Sequence, residues 1–396
     1  MIFNLYTALA LLLIGMANTK LYCESSEHFG SFVTNYKFRS YDIITEDKYI
    51  LKMFRINSKQ FDPCKSHRVF LFVHPLTDAA DCWVYRNDET LAKKLADMGH
   101  DIWLLNNRGN KYSCYHEELD NESRQFWDFS FQEMADYDMP ASVSYIYKET
   151  QTNMTLIGFS QGTTQIFGML SDRSDLHEHI IQVHAIAPIP FLNAFSKDKS
   201  LAYYLAYSHI FETLQLLGVG GILHGPVIKG PISNQVIKAF CVDYDFICRL
   251  IFTHFTDKNF DVIDKVEFMK YLHTAPSRVS VKTITHYLQW IRDDKPITYR
   301  YNYGPIGNLR KYGQLKTPTW NLKKIKVPIY LYHGENDFLS NQTTVDHLEK
   351  ILHYPKTRIF LEWGHLSFIL ATDLAKLDKL IIKDIFTDTP NNMVIS

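Results

Sequence analysis

Apolar positions along the chain follow two alternating rhythms. Short runs rich in β-branched and aromatic residues lie at 36–45, 49–56, 68–74, 101–105, 154–158, 182–188, 328–333 and 357–363. Between them, apolar residues recur at helical spacing over 89–98, 132–148, 161–170, 343–352 and 366–386. Strands separated by helices predict right-handed crossovers and a mostly parallel sheet. The first two runs sit close together and predict a hairpin that adds antiparallel strands at one edge.

The alternation breaks once. Over 191–312 no strand pattern recurs, and the text turns helical and aromatic, as in LAYYLAYSHIFETLQLLG and YDFICRLIF. Turn signals punctuate it at Gly220-Gly221, Gly225-Pro226 and Gly230-Pro231. The strand rhythm resumes at Val327. An insertion after the sixth strand emerges at the carboxyl edge of the sheet, where open α/β sheets bind ligands. Residues 191–312 are therefore read as a helical cap, with core segments at 18–190 and 313–396.

The first seventeen residues, MIFNLYTALALLLIGMA, carry an apolar run too short to span a bilayer but suited to a signal peptide. Gly15 and Ala17 supply the small residues for cleavage before Asn18. The mature chain is then expected to be secreted or lysosomal, with no transmembrane segment. Lys plus Arg number 42 against 43 Asp plus Glu, so no global field points to a nucleic-acid partner. Six cysteines, an even number, permit full pairing without fixing it. Cys241 and Cys248 are close enough to staple one local loop and are the favoured pair. Cys23, Cys64, Cys82 and Cys114 are read as free buried thiols. Asn121, Asn153 and Asn341 each open an N-x-S/T glycosylation sequon.

The strongest chemical signal is Gly158-Phe159-Ser160-Gln161-Gly162, a G-x-S-x-G pentapeptide between a strand and a helix. A sharp strand-to-helix turn brings the chains close, and glycine at either flank avoids a Cβ collision. The turn lifts Ser160 clear of the sheet, at a helix N-terminus that favours developing negative charge. A serine hydroxyl needs a base, and in the α/β-hydrolase fold the acid and the histidine follow the serine in the chain. Asp337 and His365 each stand just past a predicted strand in the last third. Glu335 is the rival acid. His347 and His353 are rival bases, but both fall in or at the end of an amphipathic helix. For the oxyanion, the N–H of Gln161 is one candidate donor. The loop His74-Pro75-Leu76-Thr77 supplies the other, and Pro75 has no N–H, which leaves Leu76.

These residues resemble the acid lipase family, which includes gastric and lysosomal acid lipases. The resemblance runs from about residue 36 to 370. It takes in Asn107-Arg-Gly-Asn110, Phe126-Trp-Asp-Phe-Ser, Glu133-Met-Ala-Asp-Tyr-Asp-Met-Pro140, the stretches 283–289 and 303–313, Gly334 to Asp337, and His365-Leu-Ser-Phe368. It implies an α/β-hydrolase fold with an eight-stranded, mostly parallel sheet, a Ser160–Asp337–His365 triad and an oxyanion hole at Leu76 and Gln161. It also implies a cap disulfide at Cys241 and Cys248. No metal or organic cofactor is implied, and the substrates are lipid esters met at lipid–water interfaces.

Four positions depart from the family pattern. Pro75 replaces the glycine of His-Gly-Leu, Phe159 the usual histidine, and Ser367 the aspartate of His-Leu-Asp-Phe. Lys48 replaces the glycine of the hairpin Asp-Gly. Pro75 is expected to shift the Leu76 donor, and Ser367 removes a charge beside His365. These two changes carry the competing reading, a non-catalytic lipid-binding or storage protein of the same fold. A carboxylesterase for soluble esters is a third reading, and the long aromatic insertion speaks against it.

Overall fold

The computed structural model describes residues 23–65, 67–86, 90–193, 201–223, 259–387 and 393–395, with scattered residues between 235 and 249. The signal segment 1–17, Cys241 and Cys248 lie outside the described residues.

The strands are β1 (Tyr36–Ile44), β2 (Tyr49–Ser58), β3 (Val69–Val73), β4 (Asp101–Leu105), β5 (Tyr115–His116), β6 (Met154–Phe159), β7 (Ile180–Ile186), β8 (Gly221–Ile222), β9 (Val279–Ser280), β10 (Ile329–Gly334), β11 (Pro355–Phe360) and β12 (Met393–Ile395). One sheet runs in the order β1-β2-β4-β3-β6-β7-β10-β11-β12, with β5 added to β2. From β4 to β12 every neighbouring pair is parallel, and β2 is antiparallel to both β1 and β4. This is the mostly parallel α/β-hydrolase sheet with its antiparallel hairpin at one edge.

The strand sequences explain the burial. In β3, Val69, Leu71 and Val73 enter the core on one face while Phe70 and Phe72 enter the core on the other. A strand buried on both faces reads as a continuous apolar run, and each such side chain contributes roughly 1.5–3 kcal/mol on leaving water. Helices α1 (Leu91–Asp97), α2 (Met139–Thr150) and α3 (Gln161–Asp172) connect the early strands. The helix expected over 132–148 is not continuous. It starts at a Ser130/Glu133 capping box, passes a π-helical turn at Met134–Asp138 and only then enters α2. Pro140 has no N–H to close the α-helical bond to residue 136, so the ladder widens just before it.

The segment 191–312 contributes α4 (Leu201–Ser208), α5 (Ile210–Leu216), α6 (Lys265–Tyr271), α7 (Val281–Asp293) and α8 (Gly304–Tyr312). The expectation that it holds no strand is corrected by β8 and β9, which pair Gly221 with Ser280 and Ile222 with Val279. The ribbon is too short to show alternation. Gly220 and Gly221 lie flat on Trp127, where a Cβ would come within 2.6 and 2.8 Å of its atoms.

After the insertion come α9 (Gln342–Ile351) and α10 (Leu374–Phe386). The helix expected over 366–386 splits into Ser367–Leu370 and α10, because Ala371 forms a bridge with Ile263 and Thr372 N–H bonds Val262 O. The cysteine reading is also corrected. Cys23 and Cys114 form a disulfide with Cα atoms 6.0 Å apart, Cys64 is free but exposed, and Cys82 is free and buried. The 91-residue separation left no trace of that pairing in the local sequence.

Candidate active site

Ser160 stands at the sharp turn between β6 and α3 with φ 52° and ψ −117°. A non-glycine residue held at positive φ in such a turn stores on the order of 1–3 kcal/mol, so the surroundings must hold it in place. They do so through the backbone. Ser160 N–H bonds Ile186 O at 2.9 Å, and Ser160 O accepts from the Thr163 N–H and hydroxyl at 2.9 and 2.6 Å. The flanking glycines are required by contact: a Cβ on Gly162 would lie 2.3 Å from Val73 O, and one on Gly158 2.7 Å from Ile166. The start of α3 is thus pressed against the exit of β3.

A second close approach brings Asp337 and His365 together. A Cβ on Gly334 would lie 2.3 Å from Trp363 O, and Asn336 N–H bonds that same oxygen at 2.9 Å. The loops after β10 and β11 are therefore stapled together. Asp337 and His365 come from these loops. His365 Nε2 lies 2.7 Å from Ser160 Oγ, and His365 Nδ1 lies 2.8 Å from Asp337 Oδ2. Asp337 Oδ1 accepts the N–H groups of Leu339 and Ser340, both at 2.8 Å, which fixes the plane of the carboxylate. All three side chains are buried. The rivals lie elsewhere. Glu335 is exposed, His347 packs edge-on against Phe191, and His353 is exposed with Nε2 on Lys323 O.

Beside the serine, two backbone donors are left over. Among the described residues neither Leu76 N–H nor Gln161 N–H finds an acceptor. The arrangement is a hydroxyl aligned with an imidazole, a carboxylate behind it, and two spare N–H groups, one on the first residue of α3 and one in the loop after β3. Such an arrangement is able to carry out acyl transfer. Among the described residues no group of three His, Cys, Asp or Glu side chains is placed to hold a metal ion.

Comparison with known proteins points to ester hydrolysis. The family described as the partial alpha/beta-hydrolase lipase region matches residues 33–87. Triacylglycerol lipase 1 of Arabidopsis thaliana is 31% identical over 85% of this chain and 84% of its own length. A gastric triacylglycerol lipase of Mus musculus is 30% identical over 85% of each chain, and lipase member J of Homo sapiens 30% over 86% and 93%. The chain belongs to the acid lipase family. It is a carboxylic ester hydrolase. Solved structures share the fold at low identity. A candidate lipase from Sulfolobus solfataricus matches with TM-score 0.60 and 15% identity, over 90% of this chain and 95% of that one. E-2-(acetamidomethylene)succinate hydrolase matches with TM-score 0.53 and 12% identity, over 89% and 100%.

The four departures of this lipase have local accounts. Phe159 stacks on the His365 ring with centroids 5.4 Å apart, so an aromatic ring still backs the imidazole. Ser367 Oγ accepts the Gly364 N–H at 2.9 Å and thereby holds the turn that carries His365. Lys48 adopts φ 72°, a left-handed conformation that glycine takes without strain, and its ammonium pairs with Glu118. Pro75 leaves the Leu76 N–H unoccupied and offers its own carbonyl to His74 Nδ1 at 2.8 Å.

Sequence reasoning missed the polar scaffold around this site. Arg108 is fully buried, ion-paired to Asp138 at 2.7 Å and Asp47 at 2.5 Å, and lies 4.0 Å over the Tyr49 ring. Burial is the largest influence on Asp138 and raises its pKa to about 6 against the pull of Arg108. The inserted segment is tied to the loop after β3. Tyr271 OH donates to Asp78 Oδ2 at 2.6 Å, and Ser277 N–H donates to Thr77 O at 2.7 Å. Burial raises the Asp78 carboxyl to about 7. The motif Asn107 to Asn110 signalled this region without saying what it does.

Proposed function

We propose that this lipase hydrolyses carboxylic esters of neutral lipids, triacylglycerols or sterol esters, through a covalent acyl-enzyme on Ser160. The observation that carries the proposal is the alignment of Ser160 Oγ, His365 Nε2 and Asp337 at 2.7 and 2.8 Å beside two unoccupied N–H donors. Ser160 Oγ attacks the ester carbon while His365 Nε2 accepts its proton, and the Asp337 carboxylate stabilises the imidazolium. The carbonyl oxygen becomes an oxyanion held by Leu76 N–H and Gln161 N–H. Collapse of the tetrahedral intermediate expels the alcohol, which takes the proton from His365. Water then attacks the acyl-enzyme with His365 again as base, and the fatty acid leaves.

Several features support the lipid substrate and its setting. Relatives named triacylglycerol lipase match most of the chain. The insertion ends α5 with Leu216 and Leu217 exposed by 78% and 71%, an apolar tip suited to a lipid–water interface. In this reading residues 191–312 cap the site. A secreted or lysosomal location is supported by the apolar run before Asn18 and by the Cys23–Cys114 disulfide, a bond of oxidising compartments. Asn121, Asn153 and Asn341 are the proposed glycan acceptors. Asn153 is exposed, whereas the Asn121 and Asn341 amides donate to Cys114 O and Asn193 O and would give up those bonds.

The non-catalytic alternative loses its motive, because Pro75 and Ser367 both sit in intact hydrogen bonds. The test is labelling with a serine-directed fluorophosphonate, alongside fatty-acid release from emulsified short-chain triacylglycerol. Both signals are expected in the native chain and neither in Ser160→Ala. Equal activity in the variant refutes the proposal.

A further inference from the structure

The loop that offers the Leu76 N–H begins at His74, a buried side chain to which the mechanism above gives no part. Its hydrogen bonds fix its tautomer. Nε2 lies 3.1 Å from the backbone N of Asn107, which can only donate, so Nε2 must accept. Asn110 Nδ2 approaches the same nitrogen at 3.3 Å. That amide is oriented independently, since Asn110 Oδ1 accepts the N–H groups of Tyr112 and Ser113, both at 2.9 Å. Burial pushes the His74 pKa down to about 4, so the ring carries a single proton at neutral pH. That proton is on Nδ1, which lies 2.8 Å from Pro75 O. Nδ1–H therefore donates to the Pro75 carbonyl.

This bond controls more than the carbonyl. Pro75 C=O and Leu76 N–H belong to one planar trans peptide and point in opposite directions. Proline fixes its own φ, which leaves ψ of Pro75 as the rotation that swings this peptide. The imidazole stops that rotation. Two residues on, Ser277 N–H holds Thr77 O at 2.7 Å, so the loop is pinned on both sides of Leu76. The loop also lies against the start of α3, because a Cβ on Gly162 would come within 2.3 Å of Val73 O and 3.2 Å of His74 O.

We propose that His74 is the positioning residue of the oxyanion site: Nδ1–H holds the Pro75 carbonyl and so aims the Leu76 N–H at the oxygen of the ester carbonyl whose carbon Ser160 attacks. The inference rests on the acyl-enzyme reading given above. It also explains how proline occupies the position where the family carries glycine. The clamp replaces freedom of the loop with a fixed peptide.

Two conservative variants separate this role from simple packing. In His74→Asn the side-chain amide nitrogen falls near the place of Nδ1, keeping the donor to Pro75 O while losing the acceptor for Asn107. In His74→Gln the amide reaches the place of Nε2, keeping that acceptor and losing the clamp. On p-nitrophenyl butyrate, His74→Gln is expected to lose about 100-fold in kcat with KM within about threefold, and His74→Asn to stay within about tenfold of the native chain. The reverse order, or equal losses that track a fall in unfolding midpoint, overturns the proposal. Nitrogen-15 spectra of the native protein, labelled at histidine, give a reading that needs no variant. A bare Nε2 and a protonated Nδ1 on His74 are expected, and the opposite tautomer overturns the clamp. A native chain that neither hydrolyses the ester nor labels with fluorophosphonate sinks the acyl-enzyme reading itself. An active native chain with an active His74→Gln sinks only the role of His74.

Discussion

Replacing Asp337 by asparagine changes one atom, and the surroundings decide which way that atom points. Asp337 Oδ1 accepts two backbone N–H groups, from Leu339 and Ser340, at 2.8 Å each, while Oδ2 faces His365 Nδ1 at 2.8 Å. In Asp337→Asn the amide oxygen stays with the two N–H donors. The NH₂ then faces His365 and forces the imidazole into the tautomer with its proton on Nε2. That tautomer cannot accept the proton of Ser160. Flipping the amide would restore the correct tautomer but set NH₂ against two N–H donors. Two lost hydrogen bonds with the donors left buried cost about 3–5 kcal/mol, so the competent flip holds about 1% of molecules or less. Turnover should therefore fall by about 10² to 10⁴, a ceiling set by the loss such an exchange causes in serine-protease triads.

Stability should separate the two replacements of this residue. Asp337→Asn keeps the bonds from Leu339 and Ser340 and should leave the unfolding midpoint nearly unchanged. Asp337→Ala strands both N–H groups and should lose about 3–5 kcal/mol. Glu335→Gln, on an exposed side chain, should keep native turnover. Initial rates on emulsified triacylglycerol and urea unfolding of the three variants measure all of this. An Asp337→Asn enzyme within tenfold of native turnover, or a Glu335→Gln enzyme that is inactive, refutes the assignment of the acid.

Three further outcomes are expected. Ser160→Gly should be inactive yet about 1 kcal/mol more stable than Ser160→Ala, because glycine takes φ 52° without strain; urea midpoints compare the pair. His286 is buried and stacked on Phe131 at 3.9 Å, and burial lowers its pKa from the ordinary 6.5 to about 3. Between those values the unfolded chain binds a proton that the folded chain refuses, so its stability contribution is full above pH 6.5 and is lost as pH falls toward 3. Asp78 and Asp138, with raised pKa values, oppose this trend, so the difference between native and His286→Phe is the quantity to measure. The native chain should lose on the order of 3 kcal/mol more than the variant between pH 7 and 4, and parallel curves would contradict the argument. Leu216→Glu with Leu217→Glu should cut activity on emulsified triacylglycerol several-fold and leave a soluble ester untouched, whereas equal losses on both substrates would deny these side chains a role at the interface.

The fold was legible because its central strands are buried on both faces. Runs such as Val69 to Val73 leave no polar position for another reading, and the β4 range expected from the pattern is the range observed. The candidate site residues were legible for a different reason: each stands at the end of a strand or in the loop that follows one, and the glycines at 158, 162 and 334 mark the close approaches that bring those loop ends together. What remained hidden depends on contacts distant in the chain. Cys23 meets Cys114 across 91 residues, and no local pattern encodes the partner. β12 pairs with β11 at the far edge through only three residues, too few to show a period.

Pro75 shows where reading by residue type reaches its limit. From the sequence it is a lost N–H and a stiffened φ, an expected disturbance of the Leu76 donor. In the folded chain the same stiffness leaves one rotation, and the neighbouring imidazole removes it through the 2.8 Å bond to the carbonyl. Glycine at this position would leave both rotations to be restrained by the surroundings. The proline that reads as a disturbance of the site and the histidine before it are one device. Neither has a meaning in the sequence without the hydrogen bond that joins them, and Asn107 and Asn110, more than thirty residues on, decide which way that bond runs.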